Sequence, residues 1–113
     1  VAVGCRTPRR EGPAIAELLT PRDVARLLAA HDLAPRKSDG QNFVVDPNTV
    51  RRIVSAAALD PSDTVLEIGP GLGSLTLGLL DAVRRVVAVE IDAGFVQALA
   101  EVLGDRPDVE VIH

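Results

Sequence analysis

The chain has 113 residues and 11.9 kDa, a size that allows one folded domain at most. With 47% hydrophobic and 25% charged residues it has the balance of a chain that buries a core, which excludes a disordered tail. Its net charge is −4, its one cysteine (Cys5) permits neither an internal disulfide nor a thiolate zinc site, and no apolar run approaches the ~18 residues of a membrane span.

The first 19 residues form a basic leader carrying Arg6, Arg9 and Arg10, with no apolar stretch behind them that would make a secretory signal. Cytoplasmic residence is expected. Charge is unevenly spread: residues 1–52 sum to +3 and residues 53–113 to −7. That split suits a leading part that meets a polyanion, although a solvated face has the same composition.

A helical segment follows over 20–60. Thr20-Pro21-Arg22-Asp23 places a hydroxyl cap, a proline at the first helical position and a carboxylate three residues beyond the cap, so a helix starts there with Val24, Leu27 and Leu28 inward. Residues 34–42 read as a polar loop. Asp46-Pro47 restarts a helix by the same logic, with Val50, Ile53, Val54 and Ala57 as its buried face, ending before Asp60-Pro61.

From residue 61 the period changes. Thr64 to Ile68 predicts a strand, and Leu72 to Val83 a helix. Val86 to Val89 is a second strand, Ala93 to Leu103 a second helix with Val96, Leu99 and Leu103 on one face, and Val109 to Ile112 a third strand. Strands alternating with helices of this length build an α/β parallel sheet, and such apolar strands imply helices on both of its faces.

Gly69-Pro70-Gly71-Leu72-Gly73 joins the first of these strands to its helix. Glycines suit a turn that is tight and that a ligand approaches too closely for a Cβ. Glu90 stands 21 residues after Gly69, at the end of the next strand, where a carboxylate can accept both hydroxyls of a ribose. Asp92 is the competing acid, better placed to cap the next helix. The dinucleotide fingerprint needs its third glycine three residues after the second; here it comes two after, and Glu67 precedes the loop by two.

Glu67-Ile68-Gly69-Pro70-Gly71-Leu72-Gly73 resembles the ExGxGxG loop of class I S-adenosylmethionine methyltransferases, with their Rossmann-like parallel sheet. Taken with Lys37-Ser38-Asp39-Gly40-Gln41-Asn42-Phe43-Val44-Val45-Asp46 and Val89-Glu90-Ile91-Asp92, the chain resembles the ribosomal RNA adenine dimethyltransferase family from about Thr20 to His113. The resemblance implies an N-terminal portion of an enzyme that transfers methyl groups from S-adenosylmethionine to N6 of two adjacent adenosines near the 3′ end of small-subunit ribosomal RNA.

It further implies that Asn42 and the backbone of Val44 contact the methionine end of the cofactor with Gln41 behind them, that Gly69 and Gly71 line the loop under it, and that Glu90 holds the ribose. Residues 61–113 are then the first half of the cofactor-binding domain, the sheet being cut after its third strand. The acceptor groups that position the adenine amine follow the fourth strand in this family, so no catalytic residue is assigned, and the chain alone is expected to be inactive. Partners so implied are small-subunit ribosomal RNA and the assembling small subunit, with no membrane and a monomeric complete enzyme. Asp39 departs from the pattern, which has an apolar residue there. Two other readings stay open: a nicotinamide-binding oxidoreductase domain, and an RNA- or ribosome-binding fragment without cofactor. With its fourth strand absent, Thr64 to Ile68 is expected to form an exposed apolar edge.

Overall fold

A computed structural model describes residues 2–6, 17–34 and 46–113. The elements run β1 (Ala2–Arg6), α1 (Pro21–Ala30), α2 (Pro47–Ala56), β2 (Asp63–Ile68), α3 (Ser74–Ala82), β3 (Arg85–Val89), α4 (Ala93–Leu103) and β4 (Val109–Ile112). The three strands β2, β3 and β4 are parallel neighbours in that order, each where the hydropathy pattern places it.

The caps form as their residue types dictate. Thr20 N–H donates to Asp23 Oδ2 at 2.8 Å while Asp23 N–H donates back to Thr20 Oγ1 at 3.2 Å, a reciprocal box that opens α1. Asp46 accepts from Asn48 N–H at 3.1 Å at the start of α2. Asp92 accepts from Gly94 and Phe95 N–H at 2.8 and 3.1 Å at the start of α4. The glycine turn runs longer than periodicity suggests: α3 begins at Ser74, not Leu72, because Gly73 takes a left-handed φ of +90° and closes on Pro70 O at 3.0 Å.

Buried side chains form two clusters. In one, Val65 and Val86 of the sheet meet Leu77, Leu79, Leu80 and Val83 of α3 and its end, with Leu99 and Leu103 of α4. In the other, Val24 and Leu27 of α1 meet Leu72 of the glycine turn and Phe95 and Ala98 of α4. α2 lies close on α3 because Gly78 leaves room: a Cβ there would stand 2.5 Å from Val50 Cγ1. Val50 and Val54 of α2 turn inward; Ile53 and Ala57, expected in its buried face, are exposed. Among the described residues α3 is the main neighbour of α2, and one narrow stripe suffices to meet it.

Two expectations about the sheet are corrected. Among the described residues the helices cover one face only. A sheet that adds parallel neighbours in one direction through right-handed crossovers carries every connecting helix on the same side. Leu66, Ile68 and Ile112 therefore stand 37%, 56% and 43% exposed on the other face. Nor is β2 an edge: β1 pairs with it antiparallel, Ala2 opposite Glu67 through Arg6 opposite Asp63. The leader's charges drew attention from Ala2 to Cys5, which lack polar side chains and have the length of a short strand.

That pairing makes a checkable statement. Deleting residues 1–6 bares the N–H and C=O groups of β2 along one side, a template for association. The shortened chain is expected to sediment as a larger species than the intact one at equal concentration. Equal sedimentation of the two would show that β1 does not guard this edge.

Candidate functional site

The carboxyl ends of β2 and β3 and the first turns of α3 and α4 converge on one spot, the position at which open α/β sheets bind ligands. β2 ends at Ile68, and the chain turns through Gly69, Gly71 and Gly73 with φ of +73°, +59° and +90°. Side-chain-bearing residues rarely hold such values. Gly69 N–H donates to Val89 O at 2.9 Å, which fixes the turn to the neighbouring strand. Among the described residues nothing lies within 4 Å of where a Cβ on Gly69 would stand, so there is space over that position. α3 starts without any side-chain cap, leaving its first amides for backbone closure and for a ligand.

Glu90 follows β3 directly and is only 4% exposed. Its Oε2 accepts from Gly71 N–H at 3.0 Å and its Oε1 from Asp92 N–H at 3.1 Å. A carboxylate has about four lone-pair sites, so two remain after these bonds. The structure thus brings together Gly69, Gly71 and Glu90, three of the five positions singled out for the cofactor. Asn42 and Val44, with Gln41, Phe43 and Asp39, lie outside the described residues. Asp92 serves as the cap of α4, its Oδ1 accepting from Gly94 and Phe95 N–H. Ile91, between them, is 90% exposed.

Beneath the turn Glu67, the first residue of the glycine motif, pairs with Thr76, which the sequence pattern did not single out. Glu67 is 3% exposed, and Thr76 Oγ1 donates to its Oε1 at 2.5 Å. The bond ties the end of β2 to the first turn of α3. A signal for it existed: in alternating Val65, Glu67 the acid falls on the inward face. Burial pushes the Glu67 carboxyl up, the Thr76 hydroxyl opposes this, and the charge of Glu90 adds to the rise.

The histidines have modest surroundings. His31 closes α1 and its Nε2 lies 2.7 Å from Glu101 Oε2; His113 Nε2 donates to Ile91 O at 3.2 Å. Among the described residues no group of His, Cys, Asp and Glu has the clustering that would hold a metal ion.

Glu67 yields a pH dependence with a definite sign. Because its folded-state pKa is raised, its contribution is full below the ordinary value of 4.5 and is lost as pH rises through the higher folded value. Glu67→Gln keeps an acceptor for Thr76 without the titration. The melting temperature of this variant relative to the original chain is expected to climb as pH rises from 4.5 to 8. A difference constant with pH would show that Glu67 ionises in the folded state as it does in the unfolded one.

Comparison with known proteins agrees with this geometry. The family described as "Ribosomal RNA adenine dimethylase" matches residues 33–113. The "Ribosomal RNA small subunit methyltransferase A" of Thermobifida fusca is 59% identical over 91 residues, covering 80% of this chain and 32% of that protein. The crystal structure of the 23S rRNA methyltransferase ErmE superposes with a TM-score of 0.58 at 44% identity, over 63% of this chain and 29% of that one. A dimethyladenosine transferase from Plasmodium falciparum gives a TM-score of 0.55 at 30% identity, over 62% and 27%. The chain spans about a third of the length of the curated relatives it matches. These relatives are RNA methyltransferases and favour neither the nicotinamide reading nor the cofactor-free one. A class I methyltransferase sheet with its glycine turn and Glu90 in register, matched by the family over residues 33–113, makes this chain a member of the ribosomal RNA adenine dimethylase family.

Proposed function

We propose that the chain is the cofactor-binding portion of an S-adenosylmethionine-dependent enzyme that dimethylates N6 of two adjacent adenosines near the 3′ end of small-subunit ribosomal RNA. One observation carries the reading: the carboxylate of Glu90 is bonded to the amide of Gly71, which puts an acid with spare acceptor sites at the rim of an open glycine turn. The ribose diol of the cofactor fits the two free acceptor sites of Glu90. The space over Gly69 takes the part of the cofactor that passes closest to the backbone. Ile91 offers apolar surface beside the acid for the purine.

Asn42 and the backbone of Val44 complete the set at the methionine end, by family resemblance. When bound, the cofactor supplies an electrophilic methyl group on sulfur. What these residues contribute is placement: a fixed ribose and a fixed loop hold that methyl group where an RNA base can meet it, which lowers the barrier by orientation.

The RNA partner suits the exposed Arg51 and Arg52 on α2, which directly follows the Gln-Asn-Phe segment in sequence. Ribosomal RNA in the assembling small subunit is the partner so read, with a monomeric complete enzyme in the cytoplasm. Among the described residues no helix is long and apolar enough to cross a membrane.

In a full-length enzyme carrying this sequence, Glu90→Ala is expected to weaken S-adenosylmethionine binding about ten- to a hundredfold, the loss of a buried charge-assisted bond of roughly 1.5–3 kcal/mol. Asp92→Ala should instead cost about 1 kcal/mol of stability through removal of a helix cap, with a smaller effect on the cofactor. Titration calorimetry and melting curves on both variants check this, and equal affinities would remove Glu90 from the ribose.

For the RNA side, Arg51→Ala with Arg52→Ala is expected to weaken binding to the small-subunit particle and to lower the log–log salt slope by up to about 2, since an arginine that neutralises a phosphate displaces roughly one counterion and an alanine displaces none. Cofactor affinity should stay the same. An unchanged slope would return both arginines to a solvated helix face.

A further inference from the structure

The end of α1 lies against the first turn of α4, and its course is set from within. Asp32 takes a φ of +51° and its N–H donates to Ala29 O at 3.3 Å, while Leu33 N–H donates to Leu28 O at 2.8 Å. These paired bonds are a Schellman closure, which fixes the direction in which Leu33 leaves the helix. Leu28 and Leu33 both pack on the cluster that contains Leu72 of the glycine turn. The tip of Leu33 occupies the space where residue 94 would carry a side chain. A Cβ on Gly94 would stand 2.7 Å from Leu33 Cδ2 and 3.1 Å from Asp92 Oδ1. Two turns further along α4, Glu101 pairs with Arg26 at 3.0 Å and with His31 at 2.7 Å, so α1 is pinned at two points.

Gly94 is also the first step of a bonded path to the site. Its N–H donates to Asp92 Oδ1, Asp92 N–H donates to Glu90 Oε1, and Glu90 Oε2 accepts from Gly71. Helix propensity alone favours alanine over glycine at a helical position. What glycine supplies at 94 is the seat for Leu33.

We propose that Leu33 and Gly94 are positioning residues for the cofactor site: the seating of Leu33 on Gly94 holds the first turn of α4 so that Asp92 and Glu90 keep the glycine turn in register. Their link to the cofactor rests on the reading of Glu90 as the ribose acid. Their link to Gly71 and Asp92 does not.

The test uses Gly94→Ala, Leu33→Ala and the double variant in the 113-residue chain. Amide exchange is followed at Gly71 and Asp92, the two donors to Glu90, with the Val86 amide in the sheet as reference. Gly94→Ala is expected to speed exchange at Gly71 and Asp92 by about tenfold relative to Val86, a local opening rather than global unfolding. In the double variant the clash is gone, so exchange should match that of Leu33→Ala alone and be slower than in Gly94→Ala. Exchange that is slower or unchanged in Gly94→Ala, with a higher melting temperature, would mean that helix propensity alone decides and would overturn the proposal. So would effects that simply multiply in the double variant, the mark of independent sites. Calorimetry with S-adenosylmethionine forms a separate arm, in which Gly94→Ala binds more weakly and the double variant recovers to the level of Leu33→Ala. This arm uses a full-length enzyme carrying the sequence; failure of that unsubstituted enzyme to bind S-adenosylmethionine would overturn the cofactor reading, and the exchange data would still decide the coupling.

Discussion

The hydrogen bond from the Gly71 amide to the Glu90 carboxylate is the interaction on which the site depends. Gly71 belongs to the turn after β2, and Glu90 to the chain just beyond β3, so one charge-assisted bond closes the gap between two neighbouring strand ends. It demands a buried carboxylate, and such a group is costly unless donors meet it. Here backbone donors do so from two directions, Gly71 on one oxygen and Asp92 on the other. The parallel register of β2 and β3, with Ile68 opposite Val89, is what brings the turn and the acid level with each other.

A second carboxylate below the same turn works differently. Glu67 has one neutral hydroxyl donor, from Thr76, and its burial favours the proton-bearing form. Glu90 has two backbone donors, Gly71 and Asp92, one on each oxygen. Two acids at adjacent strand ends thus divide the labour: Glu67 braces the first turn of α3 from beneath, and Glu90 holds the loop through the Gly71 amide. An alanine at Glu67 would leave Thr76, fully buried, without its acceptor, so packing as well as charge depends on the acid.

Much of this was legible in the sequence, for physical reasons. Thr20, Asp46 and Asp92 cap helices because short polar side chains reach the free amides two or three residues on, and each does so where the pattern placed it. The three parallel strands show as β-branched runs, and glycines two apart fix the kind of turn. What was hidden depends on interactions distant in sequence. β1 is a short run whose strand character comes from pairing with β2, about 60 residues on. Helices on one face follow from strand order, which hydropathy does not encode. The outward turn of Ile53 reflects the packing of α2 chiefly on α3 among the described residues, and the seat of Leu33 on Gly94 joins residues that no local period relates.

Charge links the two ends of the proposed function. The second part of the chain is strongly acidic, and one of its carboxylates, Glu90, sits beside the turn. S-adenosylmethionine carries a sulfonium and an ammonium against one carboxylate, so its net charge is positive and an acidic surround favours it. RNA needs the opposite sign, and the basic excess lies in residues 1–52, including the exposed Arg51 and Arg52. On the proposed function, an acidic surround that favours the cofactor disfavours a phosphate backbone, and the exposed Arg51 and Arg52 suit the polyanion better than the Glu90 side does. The charge division along the chain, basic over residues 1–52 and acidic over residues 53–113, is thus the one the proposed function calls for, with long-range attraction of opposite sign for its two ligands.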